Sequence, residues 1–511
     1  MKIHTFLPIL VLLQPLQAQE KTVLTIDQAI DIALYGSYTV RSNDEERQAM
    51  QYQYLYYKAQ FKPKLDAHLY SPSWNEAVTT VTQADALPVY NSTSSIRFGG
   101  GLSFTYVLPT GGDLALKGEM YHENLKTTFQ KDYSTMKWKQ AYSQFGIAFN
   151  QPVFTKNLLR ENLKRAEYQY KRSELYFTRI QMDIIYNVTN GFYGVYRAAY
   201  EKQINEERLG NSQEALRIAK LKYETGNIAE GELLIAEIDA AQNDVFLSES
   251  AGKYERLKDE FKLLIGLSMT EEIDIMAEME FETVNINLQT AIDQALVNRL
   301  EIKEGEYDIK LQEIEIDRAK RVSEVKGNIS AYYDFAGLSP KEGNVTELFR
   351  YSFDNMADRP QNRGVTFTLA VPILDWGRRR NNVKTQIIYL NEMKMRLDNT
   401  NEQIIKEIRE IIRTVYEAEK RFRINQTNKD IAQRSYRINR LRFENGDITA
   451  QELSLEQTRL SEVQLAYIGA YVTYRSALAD LKRKTMWDFE NNRSYAIDPR
   501  HSTAEQGLQT P

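Results

Sequence analysis

The sequence predicts a mostly helical protein with a smaller share of β structure, built from two copies of one unit. The first observation is a repeat, in which Leu221–Leu233 returns without a gap as Leu441–Leu453, 220 residues later. The second is a pair of very long stretches without proline, and the third is a set of short alternating stretches that precede them. Self-similarity on this scale indicates a duplicated folding unit.

The repeat extends well beyond this stretch. Pro152 matches Pro372 at the same offset of 220 residues, whereas Ala29–Leu34 matches Ala291–Leu296 at an offset of 262. The first copy therefore carries 42 extra residues (262 − 220) between its early helix and its proline. Each copy is predicted to run helix, strands, long helix, glycine turn, helix.

This pattern divides the chain into eight segments. They are a signal peptide (1–18), the helical start of repeat 1 (19–61), its strands with an extra hairpin (62–153), its long helical hairpin (154–268), the helical start of repeat 2 (288–325), its strands (326–373), its long helical hairpin (374–488) and a flexible tail (490–511).

The N-terminus has the features of a secretory signal. Lys2 and His4 precede a short apolar run, Phe6–Leu13, and Ala18 is a suitable residue before a cleavage site. The run is too short to span a bilayer as a helix, and no other segment approaches 18 apolar residues. The sequence therefore predicts an exported protein without a transmembrane helix.

Composition excludes several classes of function. The net charge of −5 is too mild to indicate nucleic-acid binding. The chain has no cysteine, which excludes disulfides and a lipid-modified N-terminal Cys. Its four His residues are scattered, without metal-ligand spacing, and no nucleophile stands beside a base. We therefore expect neither enzymatic activity nor a cofactor.

The long helices suggest a thin wall rather than a globular core. The stretch from Thr155 to Tyr223 corresponds to about 100 Å of helix at 1.5 Å per residue. Its apolar residues, such as Ile184, Val188 and Phe192, form a narrow stripe among charged residues. The second copy repeats this stripe with Ile404, Ile408, Ile412, Val415 and Ala418.

Each long helix is predicted to stop at a glycine and return. Gly226 and Gly446 stand where a left-handed residue would close a helical hairpin. The returning helices, about Ala229–Leu264 and Thr449–Lys484, are roughly half as long as the first. Short helices that begin near Tyr38 and Leu300 would supply the missing length by continuing where these end.

Six segments alternate as strands do. They are Lys64–Tyr70, Leu102–Leu108, Leu114–Met120, Phe145–Val153, Asn328–Phe335 and Val365–Val371. Strands of about ten residues cross an outer membrane, but a soluble sheet gives a similar pattern, so the strands alone leave both interpretations open. Only a closed barrel satisfies backbone hydrogen bonds in lipid, so a few strands per chain require several chains.

From about Leu24 to Phe489 the chain resembles the TolC-like outer-membrane efflux protein family. The resemblance rests on the duplicated helix–strand–helix unit, the run Pro372–Arg378 where strand passes into helix, and the turns at Gly226 and Gly446. No single motif is specific, but their order and spacing are. The 42 extra residues of the first copy depart from the family pattern and leave the number of membrane strands open.

The resemblance implies a homotrimer in the outer membrane with a long periplasmic portion. In this family each chain gives four strands to one shared barrel, and the long helices form a tunnel. Its partners are a periplasmic adaptor (membrane fusion) protein, an inner-membrane transporter of the RND or ABC type, and outer-membrane lipid, but not nucleic acid. The protein would be a passive conduit of a tripartite efflux or type I secretion system, for drugs or for proteins.

The resemblance also implies two candidate sites. We expect the adaptor to dock on the hairpin tips, Gly226, Asn227 and Ile228 with Gly446, Asp447 and Ile448. Some family members narrow the tunnel with a ring of acidic side chains just past the second turn, where this chain has Glu452 and Glu456. Three copies of Glu452 would attract cations, which gives a gate hypothesis. The alternative is that Glu452 only supports the first turn of its helix, as Glu232 would in the first copy.

One rival function remains at this stage. A secreted or periplasmic coiled-coil structural or adaptor protein with a soluble β domain would also contain long helices and a few strands. Association with the outer membrane separates the two, because only the conduit requires it.

Overall fold

The computed structural model describes residues 22–82, 87–130, 132–276, 279, 281–339 and 343–494. The predicted signal peptide, 1–18, and residues 495–511 of the predicted tail lie outside them. The chain forms two units, each drawing on both copies of the repeat. The helical unit comprises the chain up to Arg47, Glu174–Glu304 and the chain from Arg396, and the sheet unit comprises Gln48–Ser173 and Gly305–Met395.

The first copy contains short helices, four strands of the main sheet and a long helical hairpin. In chain order its elements are β1 Thr22–Leu24, α1 Ile26–Gly36, α2 Tyr38–Ala59, β2 Lys64–Val81, β3 Val89–Val107, β4 Asp113–Phe129, β5 Thr135–Val153, α3 Leu158–Glu224 and α4 Glu230–Ile265.

The second copy repeats this order with two strands in the main sheet. Its elements are β6 Ile273–Ile275, α5 Leu288–Asn298, α6 Leu300–Lys320, β7 Lys326–Leu338, α7 Val345–Asp354, β8 Asn362–Ala370, α8 Arg378–Asn445, α9 Ala450–Thr485, β9 Trp487–Asp488 and β10 Arg493–Ser494. Among the described residues, no helix combines the length and the apolar character that a membrane span needs.

The predicted apolar stripes form the core of the helical unit. Val188 and Phe192 of α3 are buried in one cluster with residues of α1, α4 and α9. Ile404 and Ile408 of α8 are buried in a second cluster with residues of α5 and α9. The narrow stripes are therefore confirmed as the surfaces along which the helices pack.

Each returning helix ends where a short helix begins. Gly266, which follows α4 with φ +81°, lies so close to Gly36 that a Cβ on it would stand 2.2 Å from the Gly36 carbonyl oxygen. In the second copy, Nδ2 of Asn298 at the end of α5 donates to the carbonyl oxygen of Thr485 at the end of α9, at 3.4 Å. This is the arrangement that the helix lengths predict.

The sheet unit contains one antiparallel sheet in the order β2-β3-β4-β5-β7-β8. All six predicted strand segments fall in these six strands, apart from Leu108 and Val371, which lie one residue past strand ends. The strands of the first copy have 17 to 19 residues, far more than predicted. The described residues thus give two strands more than the four that the family pattern implies, and the extra residues of the first copy supply them.

Two parts of the sequence-based description need correction. The segment 326–373 is not only strand, because α7 packs on β5 and β7 between its two strands. Residues 490–494 are not a flexible tail, because Arg493–Ser494 pairs with Trp487–Asp488 and Glu490 accepts from Arg475 at 3.2 Å. The parallel pair of β1 and β6 also has no counterpart in the predicted elements.

Candidate functional site

The first hairpin tip is closed by Gly226 in the left-handed conformation, with φ +75°. Its N–H donates to the carbonyl oxygen of Tyr223 at 2.9 Å, and the N–H of Asn227 donates to that of Lys222 at 2.8 Å. These two bonds form a Schellman motif, which satisfies the last carbonyl groups of α3. Asn227 is exposed, whereas Ile228 is half-buried against an apolar cluster that includes Phe443 and Leu453.

The second tip repeats this geometry. Gly446 has φ +87° and donates to the carbonyl oxygen of Phe443 at 3.0 Å, and Asp447 donates to that of Arg442 at 2.8 Å. Asp447 is exposed and Ile448 is half-buried. The predicted left-handed glycines are therefore confirmed at both tips, and four of the six predicted docking residues present open polar or backbone surface.

The two tips differ in how the returning helix begins. Thr449 forms a capping box with Glu452: the Thr449 N–H donates to Oε2 of Glu452 at 2.8 Å, and the Glu452 N–H donates to Oγ1 of Thr449 at 3.3 Å. In the first copy Ala229 stands at the equivalent position and makes no side-chain cap. The N–H and hydroxyl of Thr449 hold the pKa of the exposed Glu452 carboxyl below its usual value.

Both candidate gate carboxylates already have partners within the chain. Glu452 serves the capping box, and Glu456 accepts from Arg459 at 3.1 Å and from Oγ of Ser435 at 3.1 Å. The supporting role of Glu452, which the sequence offered as the alternative, is therefore present. Its negative charge is still exposed beside the second tip.

Lys222 links the two tips. Its ammonium donates to the carbonyl oxygen of Phe443, at the end of α8, and lies 4.6 Å from the centre of the Phe443 ring. A cation at a helix C-terminus is favourable, because the unpaired carbonyl groups there carry partial negative charge. Sequence reasoning missed this contact, because nothing in the repeat indicates which residues of different hairpins meet.

Replacing Gly226 and Gly446 together with Ala is expected to loosen both tips without unfolding the protein. The left-handed conformation costs a residue with a Cβ about 1–2 kcal/mol. No atom within 4 Å would meet a Cβ on Gly226, so the cost there is conformational. Faster hydrogen exchange at Asn227 and Asp447 would report the effect.

A matched control separates conformation from the mere addition of a methyl group. Gly210 lies inside α3, also without an atom within 4 Å of an added Cβ, and its φ is helical. Gly210→Ala is expected to stabilise α3 by about 1 kcal/mol. Equal exchange at the tips in both variants would contradict the assignment of the tip glycines.

The two faces of the main sheet have opposite character. One face carries cross-strand rows such as Phe104–Leu116–Ile147, and the other carries rows such as Ser103–Lys117–Gly146–Asp334. On the polar face Tyr70 donates to Glu119 at 2.6 Å, and Asn328 donates to Asn150 at 2.7 Å. Alternation of lipid-facing apolar and lumen-facing polar residues is typical of a membrane barrel.

Two helices of the helical unit expose apolar stripes. On α8 they recur mainly at heptad spacing, and on α4 at spacings of four and seven, so each set shares one helix face. The members, each about half exposed or more, are Ile424, Ile431, Ile438 and Leu441 on α8, and Leu234, Ile238 and Val245 on α4. Single exposed apolar residues are ordinary, but aligned stripes indicate an interaction surface.

The described part of the chain contains no group of three or more His, Cys, Asp or Glu side chains that could hold a metal ion.

Duplicated long helical hairpins, combined with a sheet that has one apolar and one polar face, define a channel of the outer membrane. The outer membrane efflux protein family matches residues 124–266 and 291–485, more than half of the sequence, and the chain belongs to this family. No curated protein matches the sequence.

Several solved channels have the same fold at low sequence identity. The Campylobacter jejuni CmeC outer membrane channel has a TM-score of 0.68 and 14% identity, with 94% of this chain and 89% of that chain covered. The Vibrio cholerae outer membrane protein VceC has a TM-score of 0.63 and 12% identity, with 90% of this chain and 95% of that chain covered. The open-state Neisseria gonorrhoeae MtrE channel has a TM-score of 0.60 and 14% identity, with 92% of this chain and 91% of that chain covered.

These findings confirm the predicted family, fold class and location in the outer membrane with a periplasmic helical portion. The rival interpretation, a secreted or periplasmic coiled-coil scaffold with a soluble β domain, fails because the chain belongs to an outer-membrane family.

Proposed function

We propose that three copies of the chain form a passive export conduit across the outer membrane and the periplasm. The observation that carries the proposal is the pairing of a two-faced sheet with helical hairpins of about 100 Å in one duplicated chain. The conduit catalyses no reaction. Lipid contacts only the apolar face of the sheet, and no nucleic acid takes part.

The repeat itself supports the trimer. Within the chain, Nη2 of Arg208 on α3 donates to Oγ1 of Thr458 on α9 at 3.0 Å. At the offset of 220 residues, the equivalents are Asn428 on α8 and Ile238 on α4. These lie on or beside the two exposed stripes. We infer that α8 of one chain packs against α4 of the next, as α3 packs against α9 within a chain.

The hairpin tips show the same correspondence between a contact within one chain and its equivalent between neighbouring chains. The contact between Lys222 and Phe443 has its equivalent in Arg442 and Tyr223, which are both exposed. Arg442 of one chain would then reach the end of α3 in the next chain, as Lys222 reaches the end of α8. Six linked tips, two from each chain, would close the periplasmic mouth.

The partners follow from the location of the tips. A periplasmic adaptor would dock on the exposed residues of both turns, Gly226, Asn227, Gly446 and Asp447, with Ile228 and Ile448 half-buried beneath them. An inner-membrane transporter of the RND or ABC type would supply the energy. The family and the channel-like relatives support export, and both drug efflux and protein secretion are compatible with this geometry.

Glu452→Gln is the sharpest test of the gate hypothesis. Gln also serves a capping box, so the start of α9 is preserved while the exposed charge is lost. If three Glu452 carboxylates line the mouth, the cation preference of the channel falls. The reversal potential in a salt gradient across a planar bilayer measures this preference.

Thr449→Ala is the matched control, because it removes the cap and keeps the charge. It costs about 1 kcal/mol at the start of α9 and is expected to leave ion preference unchanged. An unchanged preference in Glu452→Gln would contradict the gate and leave Glu452 with its capping role alone.

The function is tested in a strain from which the gene is removed. Loss of a conduit is expected to raise sensitivity to antibiotics, dyes and detergents, or to abolish the release of a secreted protein. The intact gene is expected to restore resistance or secretion, and so is the gene for Gly210→Ala. If the double variant of Gly226 and Gly446 restored resistance or secretion as fully as the intact protein, docking at the tips would be contradicted.

A further inference from the structure

The sheet carries more strands than the family pattern provides. Six strands are joined by continuous antiparallel pairing from β2 to β8, and β3 and β4 are the two that the first copy adds. In the described part of the chain, β2 and β8 have a partner on one side only. The question is whether β3 and β4 belong to the membrane wall or form an appendage outside it.

In the half of the sheet nearer the long helices, the apolar face continues through the added strands. Leu65 on β2, Phe104 on β3, Leu116 on β4 and Ile147 on β5 form one cross-strand row on this face. The next row, two residues on, contains Ala67, Leu102 and Phe145. A hairpin surrounded by water would not need apolar residues in register with those of the neighbouring strands.

The polar face is equally continuous. Asp66 on β2 is aligned with Ser103 on β3 and Lys117 on β4, and the row reaches Asp334 on β7. The added strands therefore have the same inside and outside as their neighbours, as strands of one barrel wall do.

The hairpin also reaches the helix-bearing end of the sheet. The turn between β3 and β4 lies beside the start of α3, where Nδ2 of Asn157 donates to the carbonyl oxygen of Pro109 at 3.0 Å. Gln151 at the end of β5 accepts from the Thr110 hydroxyl at 2.6 Å. The added strands thus span nearly the whole length of β5, with which β4 pairs from Asp113 to Thr128.

We propose that three chains close one barrel of eighteen strands, six from each chain, with β8 of one chain paired to β2 of the next. This inference rests on the proposed trimeric conduit. An open sheet edge does not persist in lipid, because its N–H and C=O groups lack partners there. Alternation of direction along the six strands makes β8 antiparallel to β2 of the neighbour, so the ladder continues across the boundary.

The two edge strands, β8 and β2, both expose apolar residues on the same face of the sheet. Val365, Phe367 and Leu369 on β8 are exposed on the apolar face, and Leu65 and Leu69 on β2 are exposed on the same face. Pairing would extend the apolar band across the chain boundary. Since barrel diameter grows roughly linearly with strand number, the lumen would be about half as wide again as that of a ring with four strands per chain.

The test uses the absence of cysteine in the chain. Single cysteines are placed at Lys117 and Leu116 on β4, which are neighbours at the same height but lie on the polar and the apolar face. In intact membranes, a water-soluble maleimide is expected to label Lys117→Cys about tenfold faster than Leu116→Cys, because lipid excludes water from the apolar band. Equal labelling would place the hairpin outside the membrane and overturn the inference.

Closure is tested by pairs of cysteines. Phe367→Cys is combined in turn with Leu65→Cys, Ala67→Cys and Leu69→Cys, which share the apolar face, and oxidation is expected to give covalent trimers with at least one of them. A control pair, Asn428→Cys with Ile238→Cys and a short bis-maleimide, reports the helical contact between chains. Control trimers without any link between β8 and β2 would overturn the eighteen-stranded barrel alone, whereas absence of both would overturn the conduit as well.

Discussion

Replacing Ile431 with Glu is expected to convert the detergent-extracted trimer into monomers. Ile431 is 61% exposed in the single chain and lies at the centre of the apolar stripe on α8. Burial of an Ile side chain contributes about 1.5–3 kcal/mol, and three contacts between chains would lose it at once. A carboxylate in the same place would also have to be desolvated without a partner. Light scattering in detergent measures the mass.

Gln433→Glu is the matched control for this prediction. Gln433 is exposed on α8, two residues from Ile431 and therefore on a different side of the helix. The Gln433→Glu variant introduces the same carboxylate as Ile431→Glu and is expected to leave the trimer intact. Dissociation by both variants would mean that added charge, not the apolar stripe, controls assembly, and the proposed contact between α8 and α4 would be wrong.

Replacing Arg299 with Met is expected to destabilise the helical unit by about 2 kcal/mol, because it leaves the partly buried Glu301 carboxylate without its ion-pair partner, whereas Glu407 keeps Lys484 at 3.5 Å. Arg299 follows α5, and its guanidinium is 2.8 Å from Oε1 of Glu301 and 2.8 Å from Oε2 of Glu407. Its side chain is only 12% exposed. Glu407 is more exposed than Glu301 and contributes less, because water screens its charge. The midpoint of thermal unfolding measures the loss.

The same ion pair makes stability depend on pH. Burial alone would raise the pKa of Glu301, but the hydrogen bond and charge of Arg299 outweigh it and hold that pKa below its usual value. Because the pKa is lower in the folded state than in the unfolded state, the contribution is complete above about pH 4.3 and falls as the pH drops through the folded value. In Arg299→Met this part of the acid-induced loss of stability should be absent.

Arg217→Met provides the comparison for the Arg299 variant. Arg217 forms an ion pair with Glu214 at 2.8 Å, but both side chains are about half exposed. Its removal is expected to leave the unfolding midpoint nearly unchanged, because exposed ion pairs contribute little. An equal loss in both variants would contradict the special role of the junction between α5 and α6.

The helical part of the fold could be predicted because its signals are local. Proline-free length, the stripe from Ile184 to Val195 and the glycines at 226 and 446 each determine structure over a few turns of chain. The capping box at Asn344 and Glu347, which begins α7, is an equally local signal, although the predicted elements do not include this helix. Gly337 allows the close approach of α7, because a Cβ there would lie 1.7 Å from the carbonyl oxygen of Ser352.

The extent of the strands and the contacts between repeats could not be predicted in this way. Beyond Tyr70, β2 pairs with the first half of β3, up to Arg97, through residues that mix polar and apolar side chains on both faces. Alternation of apolar and polar residues therefore gives no signal there. The contacts of Lys222 with Phe443 and of Arg299 with Glu407 join residues more than a hundred positions apart. Nothing in a local pattern specifies such pairs.

Planar-bilayer conductance of the purified protein, with its mass measured in the same detergent, tests the central claim most directly. A channel of low conductance from a trimer is expected, because six linked hairpin tips would narrow the periplasmic mouth. Loosening of the tips by Gly226→Ala with Gly446→Ala should raise that conductance. A monomer that leaves the membrane fraction with salt and forms no channel would contradict the account.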